Sequence, residues 1–409
     1  METSASLPDR VRMLPAMDSE HRHRAVLPAH VAALDGLRAV AVGLVVLTHA
    51  AYLTGFVNSG GFWGALLGRG DFGVALFFTL SGYLLHLGFL RAPGERLDIG
   101  TYLLRRAARV LPAYWVVLLV VCVAARPDAR DVVLHALALQ IYAPGSQIPS
   151  FSPAWSIATE LSFYAVLPIA AALLHRVRRR NADAPLTLLT ALLPLALACT
   201  WLAPSGDLRV DTPYERWLPA RSASFLIGMI LAEAVVRQSP PLARRLRAWM
   251  AAPGPVLALG AAVYALATTP VAGLLTLGIV SGWQLTTKML LSCVFAAALL
   301  GPVVLGSRGW WTGWLSRPGV VWVGRISYGI FLWHVPVFVG LYAVTGVDVF
   351  SGGLAALLAI GVPITMALAA ISFAWIEAPA IRWASLRRRS PAAGEQVEPQ
   401  PPRSAAPPG

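Results

Sequence analysis

The sequence predicts an all-α fold, a polytopic transmembrane helical bundle of about ten spans with both termini in the cytoplasm. Three observations carry that expectation. Hydrophobic residues make up 57% of the chain and charged residues 13%, about half the charge of a soluble domain. The apolar residues cluster in blocks of about 17–25, the length that crosses a bilayer as helix. The loops between those blocks alternate between rich and poor in arginine, as the positive-inside rule requires.

The blocks run at about 37–57, 72–90, 109–125, 154–174, 186–203, 218–236, 253–270, 288–306, 320–344 and 353–377, each reading as one helical span. The stretch 132–143 is apolar but too short to cross, and it reads as interfacial or re-entrant. The eighth span has the least distinct start, because 271–287 is also apolar and Gly-rich. Residues 1–32 and 384–409 are Pro-, Ala- and charge-rich, composition that favours disordered cytoplasmic segments around a membrane domain at 33–383. Residues 1–30 lack the apolar core of a cleavable signal peptide, so the first span is expected to direct insertion.

Charge excludes some functions. The net charge is +13, but the basic residues are spread over short loops, which serves topology and not nucleic-acid binding. Cys122, Cys199 and Cys293 all fall within expected spans without metal-site spacing, so neither a disulfide framework nor a metal is expected. Lys288 is the one lysine among 33 basic residues, a bias that suggests a GC-rich bacterial genome and hence the bacterial inner membrane.

Ionisable residues at membrane depth are costly and are functional candidates by default. Arg38 and His49 lie eleven residues apart in the first span. That spacing brings both to within about 20° of one helix face, about 16 Å apart along the axis. A cation near the cytoplasm could hold a phosphorylated ligand while the imidazole works deeper. Alternatively, Arg38 is a positive-inside anchor, or pairs with Asp35, and His49 makes a helix–helix hydrogen bond. Glu160, in WSIATELSFY, and His334, in ISYGIFLWHVPV, are further intramembrane candidates. Ser81-Gly82 reads more readily as a close-packing site than as chemistry. Arg105, Arg106 and Arg109 precede Pro112, expected near the first turn of a span, and could clamp an anion or meet lipid headgroups. Glu377 precedes Pro379 and suits the end of the last span. His86 and His135 fall near interfaces and receive no role.

Taken in order, the motifs are Arg38-x10-His49, FFTLSGYLL, RRAARVLPAYW, WSIATELSFY, GRISYGIFLWHVPV and Glu377-x-Pro379. The chain from about 33 to 383 resembles the membrane acyltransferase-3 family of O-acyltransferases. The resemblance implies transfer of an acyl group, commonly acetyl, from acyl-CoA to a hydroxyl. The acceptor would be a carbohydrate such as a surface polysaccharide, lipid-linked sugar or peptidoglycan, or a macrolide. Some members of that family carry an added extracytoplasmic domain; this chain ends soon after its last span, so a stand-alone membrane unit is expected. On that reading His49 is a general base or an acyl-imidazole relay. Glu160 orients His49, and His334 is a second base or binds acceptor. Arg38, Arg105, Arg106 and Arg109 hold the CoA phosphates, and Ser81 hydrogen-bonds the thioester or merely permits packing. A proton-coupled transporter or carrier-lipid flippase is the competing reading, since buried His, Glu and Arg also suit transport.

Overall fold

A computed structural model describes residues 32–91, 98–201, 213–237, 240–275, 281–306 and 309–386. Among them there are helices and no strands. Nine helices are long and apolar enough to cross a membrane, and a bent pair makes ten if it counts as one span. Val123 and Ile169 are 70% and 64% exposed on these helices, which suits a surface solvated by acyl chains. The chain is a multi-pass helical membrane protein.

The principal helices are α1 (Ala32–Leu53), α2 (Phe72–Arg91), α3 (Ile99–Ala125), α4 (Trp155–Arg180), α5 (Ala184–Trp201), α6 (Leu218–Val236), α7 (Pro241–Met250), α8 (Pro253–Ala267), α9 (Gly282–Val304), α10 (Pro318–Arg325), α11 (Ser327–Thr345), α12 (Leu354–Ser372) and α13 (Ala378–Leu386). Short helices at Ala129–Ala136 and Gln140–Tyr142 occupy the stretch expected not to span.

Four elements differ from expectation, each for a local reason. α3 begins ten residues earlier than the apolar block, because the Asp98 side chain caps it, accepting from the Thr101 amide at 3.0 Å. The arginine-rich "loop" is therefore helix, and Pro112 lies in its interior and not in its first turn. α9 likewise starts early, at a capping box in which Ser281 and Gln284 exchange side-chain and backbone bonds. The expected seventh span is only the 15 residues of α8, about 22 Å of helix against a hydrocarbon core of about 30 Å. It follows α7 at an 88° bend. The expected ninth span is split at Ile326 into α10 and α11.

The last span also runs on. A π-helical turn at Phe373–Glu377 joins α12 to α13, so the helix ends at Leu386 and not at Glu377. Pro379 has no amide proton to complete the ladder there, and a widened turn accommodates the gap. Residues 384–386, expected in the tail, are thus helical. The rest of that segment, and residues 1–31, lie outside the described residues.

The tightest packing joins α2 to α6. A Cβ on Gly82 would stand 2.2 Å from the Phe225 carbonyl oxygen, and one on Gly228 would stand 2.0 Å from that of Thr79. Small residues let the two backbones meet, and Thr79 Oγ1 donates across the seam to the Ser224 carbonyl at 3.0 Å. Phe78 stacks on Phe225 at 4.6 Å, and Phe225 on Phe163 at 4.1 Å, tying α4 to the same seam. That rigid seam sets the walls of the cavity described next.

Candidate active site

A cavity of about 840 Å³ opens between α1, α2, α3, α4 and α11. Arg38, Ser81, Arg105, Arg106, Arg109 and Glu160, six candidates from four separated stretches of sequence, all line it. Helix periodicity explains the arginine wall: 105 and 109 are one turn apart, and 106 and 109 nearly so, hence on one face of α3. Arg105 Nε and Arg106 Nε are buried without a hydrogen-bond partner. Buried donors of that kind are costly until something accepts from them, and a guanidinium fork suits a phosphate or carboxylate. Arg38 is held at the α1 entrance by Asp35, Nη1 to Oδ1 at 3.3 Å, while Arg325 Nε of α10 lies 3.7 Å from the other Asp35 oxygen.

Ser81 and Gly82 divide the two roles considered for them. Gly82 faces α6 and permits contact. Ser81, one residue on, lines the cavity and its hydroxyl donates to Glu160 Oε1. The same carboxylate oxygen accepts from the Tyr164 hydroxyl at 2.7 Å, one helical turn along α4. Glu160 is therefore engaged with Ser81 and Tyr164, and the expected pairing of Glu160 with His49 does not occur. The side chain is compensated at depth by two hydroxyl donors, a cheaper solution than an isolated charge.

His49 pairs instead with His334. Their facing nitrogens, His49 Nδ1 and His334 Nε2, are 3.2 Å apart, and the rings meet at 63°. His334 Nδ1 lies 3.1 Å from the Ile330 carbonyl, and His49 Nδ1 lies 2.8 Å from the Val45 carbonyl. A carbonyl only accepts, so Nδ1 carries the proton in both neutral rings. The single Nδ1 proton of His49 is then shared between the Val45 carbonyl and, at longer range, His334 Nε2, and His49 Nε2 keeps a lone pair. His334 is fully buried, and His49 is half-buried. Neither ring lines the 840 Å³ cavity. Phe331 does line it, and its ring centroid is 5.9 Å from that of His334, so one aromatic layer separates the pair from the cavity.

The sequence reading missed three features. Glu377 lines the cavity from the π-helical turn, buried and with Oε1 unpartnered; the Glu-x-Pro spacing was its only signal. Tyr328 also lines the cavity and donates to the Val110 carbonyl at 2.8 Å, two residues before Pro112. On the far side of α2, His86 Nε2 lies 2.9 Å from Glu233 Oε1, which Arg178 also bonds. That buried triad ties α2, α4 and α6 together. At the cavity rim, bonds from the Thr101 hydroxyl and amide hold the Asp98 carboxyl below its usual range.

Fold and site together define a membrane-embedded protein with a deep polar cavity suited to an anionic ligand, beside a histidine pair. A family model described as an acyltransferase domain matches residues 31–375, and the chain belongs to this acyltransferase-3 family. It is 26% identical over 381 residues to the O-acetyltransferase OatA of Staphylococcus aureus, covering 86% of this chain and 57% of that protein. It is 28% identical over 382 residues to the putative peptidoglycan O-acetyltransferase YrhL of Bacillus subtilis, covering 87% of this chain and 56% of that one. The chain thus spans little more than half the length of these relatives. No solved structure gives a significant match.

Proposed function

We propose that the chain is an integral-membrane O-acyltransferase of the bacterial cell membrane, with residues 33–383 as its catalytic domain. It moves an acyl group, acetyl as the simplest case, from acyl-CoA to a hydroxyl of a sugar or glycan; a macrolide is the second acceptor class. The observation that carries this reading is the convergence of Arg38, Arg105, Arg106 and Arg109 on one cavity with Ser81 and Glu160 in a chain of this family. The buried, unpartnered Nε groups of Arg105 and Arg106 suit the phosphates of CoA. The names of OatA and YrhL make a cell-wall glycan the preferred acceptor.

In the proposed reaction the acceptor hydroxyl attacks the thioester carbonyl. His49 Nε2 takes the hydroxyl proton as general base, the C–S bond breaks, and the proton passes to the leaving thiolate. His334 holds the His49 ring through Nδ1 and leaves Nε2 free for the acceptor. An acyl-imidazole on the same nitrogen is the two-step variant. Glu160, held by Ser81 and Tyr164, orients the donor end of the cavity. The Arg-rich side faces the cytoplasm, where acyl-CoA is made.

The test is thioester loss. The full chain in proteoliposomes, given acetyl-CoA and a panel of glycan and macrolide acceptors, is expected to release free CoA only when an acceptor is present. Solute flux across the vesicles without CoA release from any acceptor would transfer the assignment to transport.

A further inference from the structure

A second cavity, of about 240 Å³, lies at the start of α2. The large cavity runs along that helix from Val74 to Phe89 and takes in the start of α3. The small one uses Asp71, just before the helix, together with the starts of α6 and α9. The two share only Val74 and Phe78. Phe78 is buried and stacked on Phe225, with Trp155 at its edge. A wall of Val74 and Phe78 is therefore common to the two cavities.

The chemistry of the small cavity differs from that of the large one. Its cations are already engaged. Lys288 pairs with Asp71 Oδ2, and Arg221 lies over the Trp155 ring at 4.9 Å and donates to the Glu215 carbonyl at 2.7 Å. What is left over is hydrogen-bonding capacity of a neutral kind. Asp71 Oδ1 is buried with no partner, so it lacks a donor such as a hydroxyl. The hydroxyl of Ser224, also buried, meets the sulfurs of Met289 and Cys293, at 3.6 and 3.8 Å, which are weak acceptors. The side chains of Asp71 and Lys288 keep 35% and 29% exposure, so the cavity reaches the surface. Its volume falls below the range of about 300–1,000 Å³ typical of drug-sized sites, which suits one sugar ring and not a nucleotide.

We propose that this cavity binds the acceptor, as a single uncharged pyranose ring with a hydroxyl donating to Asp71 Oδ1, and that Val74 and Phe78 form the partition between acceptor and donor. The proposal rests on the acyltransferase reading. During transfer the acceptor oxygen forms the new C–O bond as the thioester C–S bond breaks. The hydroxyl proton leaves through His49 to the thiolate, and CoA departs as free thiol.

Thiol protection tests it on the full chain with Cys122, Cys199 and Cys293 replaced by alanine. Leu285→Cys reports on the small cavity and Leu84→Cys on the large one; both positions are half-buried lining residues. Chitotetraose at ten times its Kd is expected to slow maleimide labelling of the Leu285→Cys thiol about tenfold, by occupancy alone, and to leave the Leu84→Cys thiol unchanged. CoA is expected to do the reverse. Adding Asp71→Asn to Leu285→Cys should abolish most of the sugar protection. No slowing of the Leu285→Cys thiol by chitotetraose, or slowing of it by CoA, overturns the acceptor cavity. Failure of CoA at the Leu84→Cys thiol alone counts against the donor reading, while sugar protection at Leu285→Cys still supports the sugar cavity.

Discussion

His49 and His334 stand 285 positions apart in sequence and share one hydrogen bond. The Val45 carbonyl fixes the His49 proton on Nδ1, and the contact with His334 on that same nitrogen leaves Nε2 as the basic one. His49→Ala is expected to lower acyl transfer about 10²–10⁴-fold, the usual worth of a general base, with an unchanged elution volume in detergent. Activity near wild type would remove His49 from the chemistry. His334→Leu leaves His49 Nδ1 with the Val45 carbonyl alone. One lost neutral hydrogen bond, about 1 kcal/mol, should lower kcat by less than tenfold, a smaller loss than His49→Ala. At the donor end, Arg106→Ala removes a charge-assisted bond worth about 1.5–3 kcal/mol. The expected result is a rise of about 10–100-fold in the KM for acetyl-CoA with kcat retained. A pure kcat defect would contradict phosphate holding.

At the scale of elements, the α2–α6 seam controls the cavity. Gly82→Val and Gly228→Ala insert carbon within 2.2 and 2.0 Å of a facing carbonyl oxygen. The helices must separate, and both variants are expected to lower the thermal midpoint in detergent and broaden the size-exclusion peak. Gly43→Ala is the control. It lies in α1 with nothing within 4 Å of an added Cβ, so it should be neutral or stabilising by up to about 1 kcal/mol. Equal damage from all three would show that glycine flexibility, and not close approach, is what the seam needs.

At the scale of the molecule, the bent pair α7–α8 determines parity. With it the described residues hold ten candidate spans, and without it nine. The alternation of arginine between loops requires an even number, so both termini are expected on the cytoplasmic side. Reporter fusions active only outside the membrane should stay silent at both ends. A signal at one end would make α7–α8 a re-entrant element. Most of the bundle was legible at this scale, since apolar block length is read one segment at a time. The boundaries were less so. Hydropathy sees no cap, so Asp98 and Ser281 started α3 and α9 earlier than expected, and Pro379 hid a π-helical turn inside what read as a terminus.

The candidate site was legible as a set of residues but not as an arrangement. A charge inside a span is conspicuous in any sequence, because desolvation makes it costly wherever it sits; hence Arg38, His49, Glu160 and His334 stood out unaided. Partners are another matter. Helix periodicity predicts neighbours three or four residues apart, which found Asp35 for Arg38; the sequence reading did not extend it to Tyr164, the partner one turn on from Glu160. It carries no information about contacts between helices far apart in the chain. Ser81 with Glu160, His49 with His334, and the wall of Val74 and Phe78 between two cavities all follow from how distant helices pack against one another. The sequence alone therefore established a multi-pass helical protein and named most of the groups suited to chemistry. Only packing in three dimensions divided those groups between an arginine-lined cavity and a histidine pair behind Phe331, because steric fit between distant segments is a property of the folded bundle and of no single stretch of chain.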